Sequence, residues 1–145
     1  MAEAAVKLLQ CRIADKGLLK IDRIGAGVGV LLYNAVQKTG AGLHILAPRS
    51  GAIQPSNKVM FADTAIPYAL DELAKKGVTP PYSIAIAGGA TMLGTEDTTN
   101  MGRKVVTAVR DALALVQLDV KIDRTGGSAI RSMILDIDAG KISIS

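Results

Sequence analysis

The run Gly25-Ala26-Gly27-Val28-Gly29-Val30-Leu31-Leu32-Tyr33 limits this chain more than any other stretch. Its β-branched and leucine side chains follow one another without polar alternation, the pattern of a strand buried on both faces. Successive side chains of a strand point to opposite faces, so such a strand needs apolar cover above and below, and the fold must be layered. The glycines do not form a dinucleotide-type phosphate loop, because that loop must open a helix and here a strand follows. They are expected to permit a bend or a close backbone approach.

The flanking segments fit the same architecture. Residues 6–14 alternate as a strand with Leu9, Cys11 and Ile13 on one face and Lys7 sharing it at the open end, and Asp15-Lys16-Gly17 turns into a second strand over residues 18–24. Residues 34–39 are expected to connect a hairpin whose return strand, 40–47, carries Gly42, His44 and Leu46 on one face and Ala41, Leu43, Ile45 and Ala47 on the other. After a Pro- and Ser-containing loop at 48–58, Asp63 is expected to cap a helix with Ile66, Ala69, Leu70 and Leu73 at helical spacing and Gly77 as its stop. A short strand at 83–87 ends at Gly88-Gly89, and a polar loop follows at 94–99. Asn100 then caps a second helix with the apolar stripe Val105, Val109, Ala112, Leu113 and Val116. Strands at 120–123, 131–138 and 141–144 close the chain, the last two joined by a tight turn at Asp138-Ala139-Gly140. Consecutive strands near both ends read as hairpin-connected. The expected class is therefore α+β, a layered mixed α/β sandwich and not a doubly wound sheet.

Composition narrows the function classes. At 145 residues the chain is expected to be one domain, residues 1–145. Its hydrophobic fraction is 49% but aromatics make up only 3%, so the interior must be built from Ala, Val, Ile and Leu. The net charge of +4 is spread without a basic run, and Tyr33, Tyr68, Tyr82 and Phe61 stand apart from the basic positions, which argues against nucleic-acid binding. Cys11 is the single cysteine, so no internal disulfide forms and a reducing cytoplasm is expected. No stretch approaches the ~20 apolar residues of a membrane helix, so membrane insertion is not expected.

His44 is the only histidine. Within an apolar strand it reads as a hydrogen-bonded core residue or as a catalytic imidazole. With no second histidine and no ligand spacing around Cys11 or the acidic residues, neither a metal site nor a cofactor is expected. Gly88-Gly89-Ala90-Thr91-Met92 and Thr125-Gly126-Gly127-Ser128 are turns that also offer backbone N–H groups to an oxyanion.

Taken in order, Ile24 to Asn34, Gly40 to Pro48, Phe61-Ala62-Asp63-Thr64-Ala65-Ile66-Pro67, Ala87-Gly88-Gly89-Ala90-Thr91-Met92, Asn100-Met101-Gly102 and Thr125-Gly126-Gly127 resemble the CheD family of chemotaxis proteins in both sequence and spacing. The resemblance spans roughly residues 6–145. It implies a layered sandwich similar to the catalytic domain of cytotoxic necrotizing factor toxins. It also implies hydrolysis of glutamine side-chain amides on methyl-accepting chemotaxis receptors, a protein-glutamine glutaminase reaction run by a Cys-His pair helped by a Thr. Chemoreceptors and a CheC-like phosphatase are the partners so implied.

Carried over residue by residue, the resemblance retains His44 but not its companions. The family's cysteine falls at Gly27, after Gly25-Ala26; its assisting threonine falls at Ile21; and an asparagine of the second helix falls at Val105. Gly25, Ala26, Gly88 and Gly89 are the backbone oxyanion candidates. Two other readings stand beside a non-catalytic binding member: an active deamidase using Cys11 or another nucleophile with His44, and a small-ligand or anion binder.

Overall fold

The cover that the glycine-led run demands comes from a second sheet on one face and a helical layer on the other. In the computed structural model, which describes residues 2–91 and 100–145, the elements run β1 (Glu3–Val6), β2 (Cys11–Ala14), β3 (Leu18–Ile24), β4 (Val28–Asn34), β5 (Thr39–Ile45), α1 (Ala62–Lys75), β6 (Ser83–Gly88), α2 (Met101–Leu115), β7 (Val120–Thr125), β8 (Arg131–Asp136) and β9 (Lys141–Ile144). Met92 and the loop expected at 94–99 lie outside the described residues. A five-stranded sheet has the order β2-β5-β4-β6-β7, and a four-stranded sheet the order β1-β3-β8-β9. Both are mixed, which bears out the α+β sandwich.

β4 lies at the centre of the larger sheet and is buried throughout. Val28, Val30 and Leu32 face α1 and α2, where they meet Ile66, Leu73, Val105 and Val109. Leu31 and Tyr33 face the smaller sheet, where Leu19, Ile21, Met133 and Leu135 pack. Gly29, Gly40 and Gly42 occupy this second face, and a Cβ on any of them would press into Ile24, Leu135 or Val6 respectively. The sheets approach this closely because those positions carry no side chain.

Several sequence expectations change here. The strand expected over 6–14 is two strands: β1 pairs parallel with β3, whereas β2 crosses to the other sheet and pairs antiparallel with β5. The crossing is made at Lys7–Gln10, where Gln10 N–H donates to the Lys7 carbonyl and Leu9 takes φ 65°. Likewise β3 and β4 belong to different sheets, so the Gly25–Gly27 turn stitches the layers together and is not a hairpin. The hairpins β4–β5 and β8–β9 form as expected.

Asp63 does not cap α1; Phe61 holds that position, and the Asp63 carboxylate accepts from the Ser50 N–H at 3.0 Å and the Ser50 hydroxyl at 3.3 Å. Asn100 does stand at the N-cap of α2, but with φ 52° and no side-chain cap bond. Gly77, at φ 78°, ends α1 as expected: its N–H donates to Ala74 O and the Val78 N–H to Leu73 O, both at 2.9 Å.

Candidate functional site

His44 owes its position to both neighbours of β5. Across β4 it pairs with Gly29. On the other side its N–H donates to Gln10 O at 3.2 Å, and its carbonyl accepts from Leu9 N–H at 2.9 Å. The alternation read from the sequence holds: Ala41, Leu43 and Ile45 join the helix-side core, and His44 points to the face shared with Gly42.

The Gly25–Gly27 turn is fixed from below by backbone amides. Gly27 O accepts from Gly89 N–H at 2.8 Å, and Gly25 O from Ala90 N–H at 3.0 Å. Thr91 N–H in turn donates to Gly127 O, and Gly126 N–H to Gly88 O, each at 2.9 Å. The three glycine-containing turns singled out in the sequence thus meet through main-chain hydrogen bonds. Gly88 takes φ 112°, and a Cβ there would collide with the Gly27 carbonyl oxygen. The close backbone approach expected of the glycines is found at this point.

Gly27 and His44 are neighbours. A Cβ built on Gly27 would stand 3.7 Å from His44 Cδ2, within van der Waals contact, but only 2.5 Å from the Ile45 carbonyl oxygen. The backbone has closed around a residue with no side chain. Burial pushes the His44 pKa below its ordinary 6.5, so the ring is neutral near pH 7. Among the described residues, none hydrogen-bonds to that ring, and the ring lines a cleft.

The pair opens into a cleft of about 500 Å³ at the end of the intersheet core. Val6, Leu8 and Leu46 supply apolar wall; Gly25, Ala26 and Gly27 form the turn beside it. Lys7, Asp22 and Arg23 bring charge to its rim. Asp22 and Arg23 sit where the β3–β8 register shifts between Ile21 and Ile24, and Arg23 takes φ 56°. Such bulges re-aim side chains, and nothing in the sequence announces one here. Alternation puts Leu46 on the His44 face; it puts Lys7 with Cys11, whereas the structure brings Lys7 to the His44 cleft, and Leu8, Asp22 and Arg23 were missed.

The other site candidates separate. Ile21 is fully buried in the intersheet core and presents methyl groups toward Gly29, where it can assist no proton transfer. Val105 belongs to the helix-side core, on the opposite face of the large sheet from His44. Gly89 N–H is engaged by Gly27 O, which leaves Gly25 and Ala26 as the oxyanion candidates that line the cleft. Cys11 is not brought to His44 by the structure. It pairs with Leu43, packs against the helix-side core and therefore points away from His44. Burial first, and then the Glu72 carboxylate, push its thiol up to about 11. Among the described residues, no cluster of three or more His, Cys, Asp or Glu side chains could hold a metal ion.

The family model for CheD chemotactic sensory transduction matches residues 46–145, more than half of the chain. The chain belongs to the CheD family. Gly27 and His44 precede the matched residues, but the relatives reach over them. The protein named probable chemoreceptor glutamine deamidase CheD from Caldanaerobacter subterraneus subsp. tengcongensis is 31% identical over 95% of this chain and 92% of its own length. A relative of the same name from Desulforamulus reducens is 36% identical over 83% of this chain and 76% of its own. A third, from Methanococcus vannielii, is 33% identical over 83% and 80% respectively. This CheD chain has no described helix long and apolar enough to cross a membrane.

Proposed function

We propose that this CheD family member takes part in chemotactic sensory transduction as a binding protein that does not deamidate glutamine, engaging chemoreceptors or a CheC-like phosphatase. The observation that carries the reading is the contact between Gly27 and His44. Where the family's route needs a sulfur to bond to the amide carbon, this chain has a hydrogen, at a position whose Cβ would stand 3.7 Å from His44 Cδ2. A neutral imidazole remains that can accept a proton, but among the described residues no thiol stands beside it to give one up. The one thiol is on the wrong face of the sheet. The chain has a cleft with an apolar wall and an amide-bonded turn, and these are what a binding role uses.

The test is incubation of the purified protein with an amidated receptor fragment, followed by mass spectrometry of its glutamine residues. No conversion to glutamate above the protein-free rate is expected. Conversion above that rate, lost in His44→Ala, would overturn the reading.

A further inference from the structure

The His44 cleft differs from a simple vacated amide pocket in what stands at its rim. Lys7 and Arg23 both line it and both are exposed, against the single carboxylate of Asp22. Among the described residues neither cation is held in an ion pair, as is true of most Lys and Arg in the chain. The placement of Arg23 is also costly. A non-glycine residue with φ 56° sits in the left-handed region, and such conformations persist where the surroundings over-determine them, often at ligand sites. The register shift between Ile21 and Ile24 sets this conformation, and Arg23 lines the cleft from it while Ile24 takes the buried position. Lys7 is set by the sheet-to-sheet crossing, where its N–H donates to Gln10 Oε1 at 2.9 Å. Two independent backbone irregularities therefore deliver a cation each to one cleft.

We infer that the His44 cleft reads carboxylate: it accepts a glutamate-type side chain between Lys7 and Arg23 in preference to the glutamine-type amide. The aliphatic part of such a side chain lies against Val6, Leu8 and Leu46, and its carboxylate faces the rim cations, with the His44 ring as an uncharged hydrogen-bonding neighbour. A primary amide matches the apolar wall equally well but gains nothing from the two charges. This inference rests on the proposed binding role and specifies it: the chain recognises the carboxylate state of a modifiable side chain and does not create it.

The test uses the full chain, isotopically labelled, titrated at low ionic strength with N-acetyl-glutamate α-amide and, separately, N-acetyl-glutamine α-amide, following the amide signals of Gly27 and His44. The glutamate compound is expected to bind about fivefold to tenfold more tightly, the range that two partly solvated ion pairs give. Arg23→Gly keeps the left-handed backbone while deleting the charge; combined with Lys7→Gln it should bring the two ligands to equal affinity. If the double variant does not fold, Lys7→Gln alone should remove roughly half of the preference in free-energy terms. Equal or tighter binding of the glutamine compound, a preference that survives the charge deletions, or no response at Gly27 and His44 to either ligand would overturn the inference. Any of these without glutamine turnover leaves the binding role standing, whereas turnover overturns that role whichever ligand is preferred.

Discussion

The two faces of the larger sheet carry the two halves of a thiol–imidazole pair, His44 on β5 and Cys11 on β2, and keep them apart. Toward the small sheet stands His44, uncharged, cleft-lining and next to a glycine. Toward the helices, on the neighbouring strand, stands Cys11, its thiol driven up to about 11 by burial and by Glu72. The faces are also built differently. Beside His44, at the Gly27 and Gly88 turns, the histidine side is closed by backbone atoms, the Ile45 carbonyl against Gly27 and the Gly27 carbonyl against Gly88, whereas Cys11 is enclosed by side chains such as Ile13 and Tyr68. A reactive pair needs proximity before it needs basicity, and the sheet itself denies proximity here.

The contrast in construction predicts which substitutions hurt most. Gly88→Ala drives a methyl group into the Gly27 carbonyl at a backbone angle that L residues rarely adopt, and is expected to destabilise by about 3 kcal/mol or more, read from urea midpoints. Near-neutral behaviour would mean that the histidine face yields as easily as a side-chain-packed one. Gly27→Cys is the next largest, at about 1–3 kcal/mol, because the Ile45 carbonyl must give way. The same variant sharpens the comparison chemically. Its new thiol, beside His44, should be alkylated by iodoacetamide at pH 7 much faster than Cys11, which holds about a hundredfold less thiolate than an ordinary thiol. Equal rates at the two thiols would break it.

On the other face, Cys11→Ala removes one sulfur from a side-chain-packed site and should cost about 1 kcal/mol, with no change in the His44 resonances. The smallest effect is on pH dependence. The folded His44 pKa lies below 6.5, so the unfolded chain takes up the proton first; stability is complete above 6.5 and falls as pH drops from there toward the folded value. Urea midpoints between about pH 7 and pH 5 should therefore decline more in the parent than in His44→Gln. Parallel curves would place the ring in a more solvated setting than its neighbours allow.

Much of this was legible from local pattern. Unbroken apolar content marked β4 as buried on both faces, and alternation put His44 and Leu43 on opposite sides of β5. Alternation alone could not reveal that Cys11 shares the side of Leu43, because that depends on the register Cys11↔Leu43 between strands. The break between β1 and β2 was hidden for a related reason. Val6 and Cys11 both read as strand residues, and only tertiary pairing shows that they lie in different sheets. Arg23 was missed because a non-glycine residue at positive φ leaves no compositional mark.

The hydrogen bonds that join Gly25 and Gly27 to Gly89 and Ala90, and Gly88 and Thr91 to Gly126 and Gly127, involve no side-chain atom. Shape and reactivity are therefore specified by separate sets of atoms at this site. Mutational drift can rewrite the residues that face the cleft, as long as the small ones in the turns stay small, while the loops keep their mutual placement. A frame of this kind can lose one chemistry and be recruited to another without passing through an unfolded ancestor.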